Sequence, residues 1–324
     1  MEGAAHVQDA ARHLAPRPHP AVTHTRAKSL LSYARGWWGR RIFYFIRAAT
    51  WAACALPRPV AVPVSRLLAL AVLASPKSAR DRHFVALHQA RARGVVLEGP
   101  ARAAAVREAF VSYARYWMES LRLPKMSPAA VDAAFTIEGR EHIQAAVDAG
   151  TGAILALPHV GGWEVGGSWL VRQGFSLAAV VEELKPPELF QWFAELRKSQ
   201  GMTVIPLTKS AGISVVRALR ANRVVALVSD RDIAGGGVEV EFFGERTTLP
   251  AGPAALASRL GVPLLPTAVY FKDTGHHAVV RPPLPLDGDP STITQALAHE
   301  LEDLIRAAPE QWHLFQPNWP SDRL

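Results

Sequence analysis

Cysteine occurs once in the 324 residues, at Cys54. A single thiol excludes a disulfide framework and any zinc site built on several cysteines, and it accords with a reducing compartment. Charge is also scarce: charged residues make up 20% of the chain against 49% hydrophobic. That excludes a chain kept unfolded by self-repulsion and leaves ample apolar material for a core. No apolar run reaches the roughly 20 residues that a membrane-spanning helix needs. The stretch from Ile42 to Leu73 is broken by Arg47, Pro57-Arg58-Pro59, Pro63 and Arg66. The first 28 residues contain no apolar segment of the kind a cleavable signal peptide requires. There is no Gly-x-Ser-x-Gly elbow, which excludes a serine hydrolase of that design. Gly235-Gly236-Gly237 lacks the Lys-Ser/Thr that follows a phosphate-binding loop, so it reads as a flexible loop.

What charge there is lies unevenly. The chain carries 36 Lys+Arg and 28 Asp+Glu, a net +8. The first sixty residues hold nine basic side chains against two acids, nearly the whole of that excess. Residues 1–28 read as a disordered basic tail. From Ser29, the residues Leu30, Leu31, Tyr33, Trp37, Trp38, Ile42, Phe43, Phe45 and Ile46 interleave with Arg35, Arg40, Arg41 and Arg47. This mixture on a helical period suits an interfacial helix, with rings at headgroup depth and cations on an anionic membrane surface. An ordinary amphipathic helix packed on the body of the protein is the alternative, and nucleic acid is not an expected partner. The expected location is peripheral, on the cytoplasmic face of the plasma membrane.

Residues 29–125 read as helical and membrane-associating, with breaks at Pro57, Pro63, Pro76 and Gly94. Residues 126–324 alternate short apolar strands with helices, and 29–324 is expected to form one compact unit. Strands are expected at 152–157, Leu177 to Val181, Met202 to Leu207, 223–228, Val238 to Phe242, Leu264 to Phe271 and His277 to Arg281. Helices are expected at Trp163–Gln173, Pro187–Gln200, Gly212–Ala221, Pro253–Leu260 and Thr292–Ala307. The fold class is therefore α/β, a central mostly parallel or mixed sheet flanked by helices.

In open α/β sheets the site lies off the carboxyl ends of the strands. The strand 152–157 runs into Pro158-His159-Val160-Gly161-Gly162-Trp163-Glu164. Positions five apart on one helix lie about 140° apart and cannot meet. His159 and Glu164 can pair only if His159 stands at the strand end, Gly161 and Gly162 turn the chain, and Glu164 opens the next helix. An imidazole oriented by a carboxylate, beside helix N-terminal N–H groups able to hold an oxyanion, equips a site to help a hydroxyl attack an acyl carbonyl. Other candidates sit at the same rim. Glu182 follows a strand and is a candidate sugar contact. Arg197 and Arg231 are candidate cations for phosphate. Asp230, Arg231 and Asp232 crowd the end of strand 223–228. Glu239 and Glu241 share one face of an alternating strand and are read as bordering the sugar pocket. Trp312 and His313 read as packing residues. His276-His277 reads as a turn without metal-ligand spacing, and no metal or resident cofactor is expected.

The stretches Ser112-Tyr-Ala-Arg-Tyr-Trp-Met-Glu-Ser-Leu-Arg-Leu-Pro124, Leu157-Pro-His-Val-Gly-Gly-Trp-Glu164, Val181-Glu-Glu-Leu-Lys-Pro-Pro-Glu-Leu-Phe190 and Ser229-Asp-Arg-Asp232 carry a further signal. So do Gly237-Val-Glu-Val-Glu-Phe-Phe-Gly-Glu245, Leu249-Pro-Ala-Gly-Pro-Ala-Ala-Leu-Ala257 and Pro309-Glu-Gln-Trp-His-Leu-Phe-Gln316. In this order the chain resembles the actinobacterial phosphatidylinositol mannoside acyltransferases, within the lipid A-type acyltransferases marked by His-x4-Asp/Glu. The broader family often has Asn before the histidine and Asp as the acid. Pro158 and Glu164 match the mannoside and lipid A branches better. The resemblance implies a glycerol-3-phosphate acyltransferase-like fold, His159 as general base and Glu164 as its orienting carboxylate. The implied reaction moves a long-chain acyl group, typically palmitoyl, from acyl-CoA as co-substrate to the 6-hydroxyl of a mannose on a phosphatidylinositol mannoside. The same chemistry on a lipid A precursor or lysophospholipid, and a non-catalytic lipid-binding protein, are the alternatives.

Overall fold

The computed structural model describes residue 48, residue 50, and residues 54–183 and 187–322. The basic tail at 1–28 and the interfacial helix expected from Ser29 to Arg47 lie outside the described residues. Residues 48, 50, 54 and 55 are helical, and three helices follow: α1 (Arg58–Ala74), α2 (Ala79–Arg93) and α3 (Gly99–Arg122). Pro59 sits in the first turn of α1, where its missing N–H costs nothing, and Gly94 ends α2 in the left-handed region at φ 64°. Val85, Val106, Ala109 and Phe110 pack α2 and α3 together. The outer side of α1 leaves Val60, Val64, Leu67, Leu68 and Val72 exposed. Among the described residues no single helix is long and apolar enough to cross a membrane. Val60–Ala74 and Pro76–Arg93 reach that length only as a pair bent by 80°.

The body then follows as α4 (Pro128–Ala133), β1 (Phe135–Glu138), α5 (Arg140–Asp148), β2 (Ala153–Leu157), α6 (Trp163–Arg172), β3 (Leu177–Val181), α7 (Pro187–Ser199) and β4 (Thr203–Pro206). After these come α8 (Ala211–Arg220), β5 (Val224–Val228), β6 (Val238–Phe242), β7 (Glu245–Leu249), α9 (Gly252–Leu260), β8 (Leu264–Lys272), β9 (Gly275–Val280) and α10 (Pro290–Arg306). Seven strands form one sheet in the order β1-β9-β8-β2-β5-β3-β4, with β6 and β7 a separate antiparallel ribbon. All neighbours in the large sheet run parallel except β8 and β9, which are antiparallel. The α/β class is as expected. The strands β1 and β7 and the helices α4 and α5 were not. His276 and His277 belong to β9, paired with β8 and β1, and do not form a turn.

All five residues of β2 are buried, and their alternation divides the core. Ala153, Leu155 and Leu157 join the layer under α5, α6 and α7, whereas Ile154 and Ala156 join the layer under α8, α9 and α10. Covering both faces is what a parallel sheet requires, and it explains why β2 reads as a continuous apolar run. Each fully buried Leu or Ile contributes about 1.5–3 kcal/mol. The central strands are thereby fixed, and their carboxyl ends become a rigid rim.

Candidate active site

β2 and β5 are neighbours in parallel register, Leu157 beside Val228, although 71 residues separate their ends. The chain leaves β2 through Pro158 to His159 and leaves β5 through Ser229 to Asp230, so the two side chains emerge side by side. Asp230 Oδ1 lies 2.6 Å from His159 Nδ1. Asp230 Oδ2 accepts the backbone N–H of His159 at 3.0 Å and the indole N–H of Trp312 at 2.8 Å. Asp230 is fully buried. Burial alone would raise its carboxyl pKa, but the His159 imidazole and these hydrogen bonds outweigh it and hold the group below the ordinary carboxylate range. A carboxylate on Nδ1 keeps the proton there and leaves Nε2 as the free base. The His159 side chain is 25% exposed and meets the indole of Trp163 edge-on, with ring centroids 5.7 Å apart.

The carboxylate on the imidazole is therefore Asp230, and the expectation for Glu164 is corrected. Glu164 does open α6, buried, but it faces Arg197 on α7. Arg197 Nε donates to both of its oxygens at 3.1 Å, and Nη2 adds a further bond to Oε1. The hydroxyl of Tyr116 lies 3.4 Å from the same oxygen. Burial would lower the Arg197 pKa, yet Glu164 more than compensates and raises it. For the same two reasons, burial first and the Glu164 charge second, the Tyr116 hydroxyl is pushed well above its ordinary value. The guanidinium, with its side chain only 14% exposed, needs a forked counter-ion, and Glu164 supplies it. Arg197 is thus an internal ion-pair partner and not a free phosphate cation.

Gly161 and Gly162 make the turn but do not offer their amides. Gly161 N–H donates to Gln311 O at 2.9 Å and Gly162 N–H to Val269 O at 2.8 Å. Gly161 has φ +62°, and a Cβ there would sit 2.1 Å from the Val269 carbonyl oxygen, so only glycine fits. The orphan amides of the helix begin after the glycines, in the first turn of α6. The C-terminal segment 309–313 crosses over this turn. Besides the Gln311 carbonyl, it supplies a His313 N–H bond to His159 O at 2.7 Å and a Val160–Trp312 bridge. Trp312 and His313, expected only to pack, both bond the histidine turn or its carboxylate. His276, behind the turn, pairs with buried Glu119 at 2.8 Å.

A cavity of about 450 Å³ opens at this rim and is walled mainly by apolar side chains, among them Tyr113, Trp117, Leu155, Leu177 and Val269. His159, Glu164, Glu182, Arg197, Arg231, Asp232 and His313 line it as well. Asp230 stands behind His159. Asp232 accepts the N–H groups of Gly235 and Gly237 at 2.9 and 2.8 Å, which shapes the triple-glycine loop. Arg231 reaches Gln316. Glu239 and Glu241 lie elsewhere. The ribbon β6–β7 turns Val240 and Phe242 inward, so both acids face solvent, and Glu239 pairs with Arg246 at 3.0 Å. The two acids share one face, as strand alternation predicts, and it is the outer face of a separate ribbon. Among the described residues, no three His, Cys, Asp or Glu side chains converge as a metal site.

The sequence is 44% identical to the phosphatidylinositol mannoside acyltransferase of Mycobacterium tuberculosis over 217 residues, 65% of this chain and 69% of that one. It is 41% identical to the protein of the same name from Mycolicibacterium smegmatis over 221 residues, 67% of this chain and 73% of that one. The lipid A biosynthesis acyltransferase of Haemophilus influenzae is 26% identical over 181 residues, 54% of this chain and 55% of its own. The family model for bacterial lipid A biosynthesis acyltransferases matches residues 33–321. That span takes in the histidine turn, the Asp230 strand end and the segment that crosses them, and the chain belongs to the bacterial lipid A biosynthesis acyltransferase family.

Proposed function

We propose that this acyltransferase moves a long-chain acyl group, palmitoyl, from acyl-CoA to the 6-hydroxyl of a mannose on a phosphatidylinositol mannoside, with His159 as general base. The observation that carries this reading is the 2.6 Å contact of His159 Nδ1 with buried Asp230 at the head of an apolar cavity. Nε2 takes the proton of the mannose hydroxyl as its oxygen bonds to the thioester carbon and the carbonyl π pair moves onto oxygen. Collapse restores the carbonyl, breaks the carbon–sulfur bond and expels the thiolate of coenzyme A, which receives that proton from the imidazolium. The thioester is already activated, so the route calls for no resident cofactor and no covalent enzyme intermediate.

The remaining assignments follow from position. The apolar walls take the acyl chain, while Glu182 and Asp232 at the rim meet sugar hydroxyls. Arg231 meets a phosphate of coenzyme A or of the inositol. The exposed valines and leucines of α1, continuous with a basic N-terminal sequence, set the enzyme on an anionic cytoplasmic membrane surface, where both lipids are available.

The test is incubation of the protein with palmitoyl-CoA and phosphatidylinositol mono- or dimannoside, with His159→Ala alongside, following acylated glycolipid and free coenzyme A together. Wild-type product that disappears in His159→Ala is the expected result. Coenzyme A release without acylated mannoside would overturn the acceptor, and equal activity in both proteins would overturn the base.

A further inference from the structure

Beside His159, the cavity holds a second histidine that the mechanism above does not use. His313 is 7% exposed and lines the cavity. Its backbone N–H holds the carbonyl of His159 at 2.7 Å. Both imidazoles pack on the indole of Trp163, with ring centroids at 5.7 Å for His159 and 5.9 Å for His313. Tyr113, Tyr116 and Phe271 complete an aromatic surround for His313. Its Nε2 lies 2.9 Å from Ser112 Oγ on α3, whereas Nδ1 is buried without a hydrogen-bond partner.

Folded proteins rarely leave a buried polar atom of this kind unpaired, and a catalytic role is one of the few reasons for doing so. The hydroxyl of Ser112 can donate to Nε2, which places the ring proton on Nδ1 and makes that atom a donor. Burial, with the neighbouring His159 charge adding to it, lowers the pKa of the ring to about 3, so it remains a neutral donor at pH 7. Neutral imidazole serves well as an electrophile toward a carbonyl, because it donates a hydrogen bond without giving up its proton.

We infer that His313 is a catalytic hydrogen-bond donor: its Nδ1–H binds the carbonyl oxygen of the acyl thioester and holds the negative charge that develops there when the hydroxyl attacks. Ser112 is its positioning residue, fixing the tautomer through Nε2. The inference rests on the acyl-thioester reading of the cavity, but not on the identity of the acceptor. It also accounts for glycine amides that are given over to the turn: the donor for the oxyanion comes from the segment that crosses it.

Two substitutions separate donation from packing. In His313→Asn the amide nitrogen sits one bond from Cγ, where Nδ1 sits, and keeps a donor. In His313→Leu the bulk remains and the donor is lost. Removing one donor to an oxyanion lowers kcat on the order of 10²–10³-fold. His313→Leu is therefore expected to lose that much in coenzyme A release from palmitoyl-CoA, with KM changed little, and His313→Asn to recover to within about tenfold of wild type. Ser112→Ala falls between them. Thermal melts establish that each variant is folded.

A second measurement is independent of turnover. With palmitoyl-CoA labelled with ¹³C at the carbonyl and bound to His159→Ala protein, the infrared carbonyl band should lie lower than in the same protein carrying His313→Leu. Equal losses in Asn and Leu, wild-type rates in both, or an unmoved carbonyl band would each overturn the role. Failure of palmitoyl-CoA to bind at all would remove the donor assignment and this inference with it. Coenzyme A release without mannoside acylation would remove only the acceptor.

Discussion

Asp230→Asn is a one-atom change whose consequence follows from the bonds around it. Oδ2 receives two N–H donors, from the His159 backbone and from Trp312, so the carbonyl oxygen of asparagine must take that side. The amide NH2 then faces His159 Nδ1, across the 2.6 Å contact now made by a carboxylate. An N–H pointing at Nδ1 turns that nitrogen into an acceptor and moves the ring proton to Nε2. The base is then in the wrong tautomer and cannot take the hydroxyl proton. A tautomer error of this kind costs about 10⁴-fold in kcat in a histidine-dependent acyl transfer, which is about 5.5 kcal/mol of barrier at 1.36 kcal/mol per decade. Steric cost is small because the residue is isosteric and the site fully buried. Coenzyme A release from palmitoyl-CoA, measured between pH 6 and 9, gives the rate, and ¹⁵N chemical shifts of the histidine ring report the tautomer. A folded Asp230→Asn protein within tenfold of wild type would refute the assignment of Asp230 as the group that orients His159.

Glu164→Gln tests the other carboxylate: it strands the Arg197 guanidinium in a largely buried position, and breaking a buried pair from one side costs about 3–5 kcal/mol. The expected outcome is a large fall in the urea midpoint, and an unchanged midpoint would contradict the pairing. His313 predicts a pH effect on stability. Its pKa falls from 6.5 to about 3 on folding, so the unfolded chain binds more protons between those values, and stability is lost as pH drops below 6.5. From pH 6.5 to 5 the loss attributable to this ring is roughly 1.6 kcal/mol, and urea titrations at the two pH values should show that much less difference in His313→Asn. On the membrane side, Leu67→Ser with Leu68→Ser should weaken sedimentation with phosphatidylinositol-containing vesicles by at least tenfold in lipid concentration, because each fully buried leucine contributes about 1.5–3 kcal/mol. Unchanged sedimentation would place the contact elsewhere.

Much of the architecture was legible because each central strand is buried on both faces and so appears in the sequence as an uninterrupted apolar run. β1 and β7 escaped for the converse reason. Phe135-Thr136-Ile137-Glu138 is only four residues with polar alternation, and Glu245-Arg246-Thr247-Thr248-Leu249 has two charged residues and two threonines, so neither stands out without its partner strand. His159 was legible as a histidine leaving a buried strand. Its carboxylate is not legible there, because spacing along the chain points five residues on to Glu164, whereas the pairing of β2 with β5 brings in Asp230 from 71 residues away. Asp230 was noticed as a rim charge, but strand adjacency, which spacing does not encode, gives it its role. Trp312 and His313 lay further still, and nothing in their immediate sequence distinguishes a packing indole from one that donates to a buried acid.

The segment that crosses the histidine turn also sets an order of events. Gln311, Trp312 and His313 close over residues 159–161, and α2 holds the flanks of that segment, with Gln89 donating to Pro309 O at 2.6 Å and His88 Nδ1 2.9 Å from Leu314 O. During synthesis the N-terminal helices and much of the sheet can fold as they emerge, since chains fold from the N-terminal end at about 5–20 residues per second of growth. The imidazole, however, has no indole on its carboxylate and no backbone clamp until Trp312 and His313 are in place. A growing chain can therefore have most of its cavity walls before it has an ordered imidazole, because that order arrives only with residues 311–313.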